Sequence, residues 1–161
     1  MADNQRNKIF AAFIGKQFSN NHPKNILDVA CGDGRLAVAL SKVFPFAEIV
    51  GVDPKPRGNK RKIKFLRGKF PERVKIKQYD LIVGMHPDEA TWDIVKQSCY
   101  HRIPFSVVPC CLLHTPPFFQ KGNMQTWVRF LYEYSNQHNM RTTHTTLPMN
   151  GANQVLFGVP K

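Results

Sequence analysis

The apolar run Asn25-Ile26-Leu27-Asp28-Val29-Ala30 feeds directly into the turn Cys31-Gly32-Asp33-Gly34, and this junction restricts the fold more than any other feature. A short apolar run closed by glycines reads as a buried strand entering a tight turn. Arg35 to Val43 follows, with Leu36, Val38, Ala39 and Leu40 as its apolar positions, and is expected to be a helix that Pro45 stops. Glu48 to Asp53 is a second apolar strand, and it ends on an acid.

The alternation continues along the chain. Residues 5–18 place Ile9, Phe10, Phe13, Ile14 and Phe18 at helical spacing, which predicts an amino-terminal amphipathic helix that serves as core. Ile63 and Phe65 allow one short strand. Asp80 to Met85 is a strong strand, Asp88 to Tyr100 a helix, and Phe105 to Val108 a strand running into Pro109-Cys110-Cys111. Met124 to His138 reads as the last helix. Arg141–Leu147 and Gln154–Val159 read as an antiparallel pair across Asn150-Gly151. The expected fold is α/β: a Rossmann-like, mostly parallel seven-stranded sheet with an antiparallel last strand and helices on both faces. The 161 residues read as a single domain, with an amino-terminal helical segment (1–22) and a basic insert (54–79).

Several classes are excluded. Hydrophobic residues make up 42% and charged residues 21% of the chain, so wholesale disorder does not fit. No apolar run approaches the roughly 18 residues of a membrane span, and residues 1–8 are polar with no apolar segment behind them, so neither a membrane anchor nor a secretory leader is expected. The four cysteines, Cys31, Cys99, Cys110 and Cys111, form no C-x-x-C pair, so no metal site and no disulfide framework is expected. A reducing compartment follows, cytoplasmic or nuclear. Cys31 and Cys99 read as packing residues.

Parallel sheets bind ligands at the carboxyl ends of their strands. Cys31–Gly34, Asp53, His86–Asp88 and Cys110–Cys111 all fall at such ends. The glycines of the first turn let backbone approach a ligand. The turn is not G-x-G-x-x-G, and the acids Asp28 and Asp33 beside it repel a phosphate but suit an amino group. Asp53 stands at the end of the next strand, where a carboxylate can accept both hydroxyls of a ribose. A ligand with an amino group, a ribose and no phosphate is S-adenosylmethionine.

The pattern Asp-Val-Ala-Cys-Gly-Asp-Gly, followed by an acid ending strand two, resembles class I S-adenosylmethionine-dependent methyltransferases over most of the chain from Asn25 onward. The resemblance implies that Gly32 and Gly34 approach the methionine part, that Asp28 supports the loop or the amino group, and that Asp53 holds the ribose. Ala30, Cys31, Asp33, Pro54 and Met85 are the further cofactor contacts expected. A narrower likeness lies downstream: Leu81 to Thr91 and Pro104 to Cys111 resemble the eukaryotic tRNA-Ser uridine 2′-O-methyltransferases. It implies RNA, and tRNA in particular, as substrate and a ribose 2′-hydroxyl as acceptor. The Lys-Asp-Lys-Glu tetrad of many ribose methyltransferases does not assemble from matched positions.

Donor and acceptor positioning does most of the work in methyl transfer. A base adds about 10²–10⁴-fold. His86 is the expected base, because its ordinary pKa lies near neutrality. Asp88 either orients that ring, acts as base itself, or caps the following helix. Cys110, with Cys111, permits a second route: thiolate attack on C6 of cytosine to make C5 nucleophilic. Equally, these cysteines close a core strand.

The charge distribution bears on the partner. The net charge is +12, and residues 55–77 hold eleven Lys or Arg with one acid, Glu72, among them. The rest of the chain is therefore nearly neutral. Lys55, Arg57, Lys60, Arg61, Lys62, Lys64, Arg67 and Lys69 are expected to hold RNA phosphates, with Phe65, Phe70 and Tyr79 stacking on unpaired bases. Pro56, Gly58, Gly68 and Pro71 break the helical period that a membrane-surface segment needs. The Pro/Phe loop at Thr115–Lys121 reads as a lid, a stacking wall or a packing loop. A non-catalytic subunit that binds RNA or a protein partner is the alternative from a different functional class.

Overall fold

The structure, a computed structural model, describes residues 4–58 and 63–161. Lys60, Arg61 and Lys62 lie outside the described residues. Seven strands form one sheet in the order β3-β2-β1-β4-β5-β7-β6. They are β1 (Asn25–Val29), β2 (Glu48–Asp53), β3 (Lys64–Arg67), β4 (Leu81–Met85), β5 (Phe105–Val108), β6 (Met140–Thr146) and β7 (Gln154–Pro160). The first five run parallel, and β7 enters antiparallel between β5 and β6. The strand order reverses between β1 and β4, so their carboxyl ends open a crevice where a ligand can bind.

Four helices cover the sheet: α1 (Asn4–Gln17), α2 (Arg35–Val43), α3 (Thr91–His101) and α4 (Met124–Gln137). Alternate strand residues point to opposite faces. Ile26, Ile49, Leu81 and Val83 meet Phe10, Ile14, Leu36 and Leu40 of α1 and α2. Leu27, Val29, Val50, Val52 and Ile82 meet Ile94, Val95, Trp127 and Leu131 of α3 and α4. The expected α/β architecture is therefore present with helices on both faces. The chain between β2 and β4 contains no α-helix among the described residues, only the edge strand β3 and a 3-10 turn at Ile76–Gln78.

Three details depart from what the sequence pattern predicts. The helix expected from Asp88 begins as a 3-10 turn, Asp88–Ala90, and becomes α-helical at Thr91. Asp88 does not cap it with its side chain; its backbone carbonyl instead accepts a hydrogen bond from Thr91 Oγ1. The helix at the amino end is core along one face, but Asn7 in its first turns also lines the cavity described below. Finally, the aromatics of the basic segment are not a stacking surface. Phe70 and Tyr79 are buried (8% and 4% exposed), and the Phe65 ring packs beneath Gly34, Gly51 and Gly58. A segment with so many cations has few apolar groups, and the sheet edge uses all of them to anchor it. Phe70→Ala should therefore cost about 3–5 kcal/mol in urea unfolding; a cost below about 1 kcal/mol would show that this ring is free.

Candidate functional site

The glycine turn after β1 is built for close approach. Gly32 and Gly34 have φ of 53° and 78°, a region that disfavours side chains. A Cβ on Gly34 would stand 2.7 Å from the Phe65 ring. Two contacts hold the turn against β2. Cys31 N–H donates to the Val52 carbonyl at 3.2 Å, and Gly32 N–H donates to Asp53 Oδ2 at 3.0 Å. Asp53 Oδ1 accepts from Lys55 N–H at 2.7 Å. Each oxygen of this carboxylate keeps a second lone pair, so both can accept a further donor.

Asp28 sits at the carboxyl end of β1, only 1% exposed. Its carboxyl group accepts a hydrogen bond from the Ala37 N–H in the first turn of α2. Oδ2 has no hydrogen-bond partner among the described residues. Burial, helped by the nearby Asp53 and Asp33 and opposed by the helix N–H, pushes this carboxyl up to about 8. Asp33 itself is exposed and pairs with Arg35 at 2.8 Å.

Besides a cavity of about 400 Å³ against α1 and α2, lined by Asp33, Gly34 and Phe65 among others, two smaller cavities adjoin the turn. One, of about 170 Å³, is lined by Asn7, Asp28, Gly32, Asp33, Arg57 and Met85, among others. The other, of about 290 Å³, runs from Ala30, Asp53 and Pro54 to Lys69, Asp88 and His114. Both are lined by Ala30. Of the expected cofactor residues, all but Gly34 line one cavity or both; Gly34 lies behind the turn against Phe65. Cys31 is buried, and burial pushes its thiol up.

The expected catalytic residues separate into two groups. His86 turns towards α1 and the loop before β7. Nε2 lies 3.0 Å from the Ala152 carbonyl and must donate to it. The Arg6 guanidinium nitrogen lies against the same ring edge, 2.6 Å from Nε2 and 2.9 Å from Nδ1, and with Nε2 donating to Ala152 only Nδ1 has a lone pair to offer it. Burial, with help from Arg6, holds His86 below the usual imidazole range, so the ring is neutral with both nitrogens engaged. Asp88, exposed, turns the other way, and Oδ1 accepts from the Cys110 thiol at 3.1 Å. Burial and this carboxylate push the Cys110 thiol up to about 12. His86 and Asp88 both adopt positive φ (52° and 45°), which is how one short corner sends two side chains in opposite directions.

Residues 2–93 match the methyltransferase-domain family, more than half of the chain. The chain belongs to the methyltransferase-domain family. It resembles the release factor glutamine methyltransferases of Rhodopirellula baltica, at 29% identity over 102 residues, and of Geobacter sulfurreducens, at 32% over 83 residues. These alignments cover 58% and 45% of this chain but only 34% and 29% of the relatives, so the chain spans about a third of their length. Among solved structures, the plantazolicin methyltransferase BpumL in complex with a pentazolic desmethylPZN analogue and SAH superposes with a TM-score of 0.68 at 12% identity, covering 100% of this chain and 86% of that one. The methyltransferase domain of a bacterial Hen1, CtHen1-C, gives 0.66 at 18% identity, covering 96% and 98%. These likenesses establish the fold.

The cofactor of such domains is S-adenosylmethionine, and the residues suit it. Asp28, whose Oδ2 has no hydrogen-bond partner among the described residues, lines a cavity where a cationic amino acid head can lie. The free lone pairs of Asp53 suit ribose hydroxyls. When bound, the cofactor supplies an activated methyl group. Sequence reasoning missed Asn7, which is far from every motif, and did not expect that Gly68–Glu72, read there as part of the basic insert, would wall the larger cavity. Arg57, expected at RNA phosphates, donates its backbone N–H to the Gly32 carbonyl at 2.9 Å, and the residue lines the smaller cavity.

Two expectations follow. Asp53→Ala should weaken S-adenosylmethionine binding at least about tenfold in calorimetry; unchanged affinity would remove Asp53 from the site. Asp28 must stay protonated in the folded protein, whereas the unfolded chain ionises near 4. Its contribution to stability is therefore complete in acid and is lost as pH rises from about 4 to about 8. Asp28→Asn should thus melt higher than the parent at pH 8, with the gap closing towards pH 4; a constant gap would contradict the buried neutral carboxyl.

Proposed function

We propose that this chain transfers the methyl group of S-adenosylmethionine to RNA, with transfer RNA as the leading substrate and a ribose 2′-hydroxyl as acceptor. One observation carries the RNA reading: the basic segment forms the rim of the donor site. Pro54, Gly68, Lys69 and Phe70 line the larger cavity, and Arg57 lines the smaller. Lys55, Arg57, Lys64, Arg67, Lys69, Arg73, Lys75 and Lys77 are all exposed. Of these, Lys64 pairs with Glu48 at 3.3 Å and Lys69 with Glu89 at 3.8 Å; the other six have no ion pair among the described residues. A polyanion laid across this rim would present its sugars at the cavity mouth, and each phosphate contact would release counterions.

The acceptor follows from what stands at that mouth. Asp88 offers an exposed carboxylate that can take a hydroxyl proton, and it lines the larger cavity. His86 is committed to Arg6 and Ala152. The cytosine route needs a thiolate, whereas Cys110 shares its proton with Asp88. The named activity of the relatives, methylation of a release factor glutamine, makes a protein amide the competing acceptor.

Labelled S-adenosylmethionine incubated with total RNA and with whole-cell protein separates these readings. Label recovered in a 2′-O-methyl nucleoside after nuclease digestion supports the proposal. Label in protein alone, in 5-methylcytosine, or in neither fraction contradicts it, and the last outcome favours an accessory subunit. Replacing Arg67, Lys69 and Arg73 by Ala should shallow the logarithmic salt dependence of RNA binding by about 0.7 for each phosphate that these side chains neutralise. An unchanged slope would show that these cations do not face RNA.

A further inference from the structure

Beside the donor site, the carboxyl edge between β4 and β5 holds a group of side chains that cofactor binding leaves unexplained. Asp88 Oδ1, Cys110 Sγ and Cys111 Sγ come within 4.8 Å of one another. Asp88 arrives from the corner after β4. The cysteines arrive from the segment after β5, whose last residue is tied to the same corner by His86 N–H donating to the Val108 carbonyl at 3.0 Å. The two sulfurs are 3.6 Å apart, and the carboxylate oxygen lies 3.1 Å from one and 4.0 Å from the other.

The sulfur–sulfur separation is close to that of a tetrahedral first coordination sphere, and the two sulfur–oxygen separations fall either side of it. Zinc bonds sulfur at about 2.3 Å and carboxylate oxygen at about 2.0–2.2 Å, which at tetrahedral angles sets sulfur to sulfur near about 3.8 Å and sulfur to oxygen near about 3.5 Å. We propose that Asp88, Cys110 and Cys111 bind one soft divalent cation, zinc in particular, at the edge of the donor cavity, with a fourth position left open. Two sulfur ligands select zinc over magnesium or calcium. Three protein ligands leave one place for water or for an oxygen or sulfur of the acceptor. Asp88 also lines the larger cavity, so that place adjoins the donor. Binding displaces the two thiol protons to solvent, and the cation then lies between two thiolates and a carboxylate. His114 is nearby but engaged, its Nε2 lying 3.0 Å from Glu89 Oε2. Nothing in the sequence warns of such a site, because adjacent cysteines do not match the C-x-x-C spacing and the third ligand lies 22 residues earlier.

The cation site stands without the RNA reading, and its test does not use activity. The full chain, reduced and freed of metal, is titrated with cobalt(II) under anaerobic conditions and then with zinc. The proposal expects one equivalent of cobalt with a thiolate-to-cobalt charge-transfer band and tetrahedral visible absorption, displaced by one equivalent of zinc. Cys110→Ser, Cys111→Ser and Asp88→Asn should each weaken zinc binding at least about tenfold, while His114→Ala leaves it unchanged. A parent protein that shows no charge-transfer band overturns the proposal without reference to any variant. Binding that survives both cysteine replacements also overturns it. Loss of binding in His114→Ala replaces the open site with a closed one of four protein ligands.

Discussion

A single buried carboxyl group sets the terms for the site. Asp28 stands at the end of the central strand β1, beneath the first turn of α2, with one oxygen unpartnered. Burying an acid in this way is unfavourable, and burial keeps it protonated up to about 8. The arrangement makes sense once a cation can enter the adjoining cavity. The flanking geometry follows from it: glycines at positive φ bring backbone to the ligand, and Asp53 ties the turn to β2 through the Gly32 N–H.

The sheet around this point is seven-stranded, and among the described residues the chain between β2 and β4 holds an edge strand, a 3-10 turn and cation-rich loops. That part of the fold therefore does two jobs. Phe65, Phe70 and Tyr79 point inward and hold the edge in place, while the cations between them remain in solvent. Among those cations, Lys69 lines the larger cavity beside the turn and Arg57 the smaller. At the neighbouring edge, the corner after β4 divides its side chains: His86 braces α1 and the loop before β7, and Asp88 joins the cysteines. No helix among the described residues is long and apolar enough to cross a membrane.

Much of this was legible in the sequence, because burial and period speak directly there. The continuous apolar runs of β1, β2, β4 and β5, each stopped by a glycine, an acid or a proline, place the strand ends, and the turn Cys31–Gly34 with Asp53 places the donor site. What was not legible depends on direction in space. Nothing in the spacing of Phe65, Phe70 and Tyr79 among lysines says whether the rings face in or out. The amphipathic period of α1 reveals its core face but not that Asn7 would line the donor cavity. The capping role expected of Asp88 fails because its backbone adopts a positive φ, turning the carboxylate away from the helix it precedes and towards Cys110. The methyltransferase-domain family was evident from the turn; the narrower tRNA-Ser likeness finds no counterpart among the relatives and solved structures described above.

Proton release on cofactor binding tests the central claim most directly. S-adenosylmethionine is titrated into the protein near pH 7 by calorimetry, in two buffers of different ionisation enthalpy, and the heats give the number of protons exchanged. A cationic ligand seated against Asp28 must expel its proton, so the parent should release most of one proton per cofactor and Asp28→Asn should release none beyond that of the cofactor itself. Binding with the same proton count in both proteins, or no binding in the parent, would contradict the account.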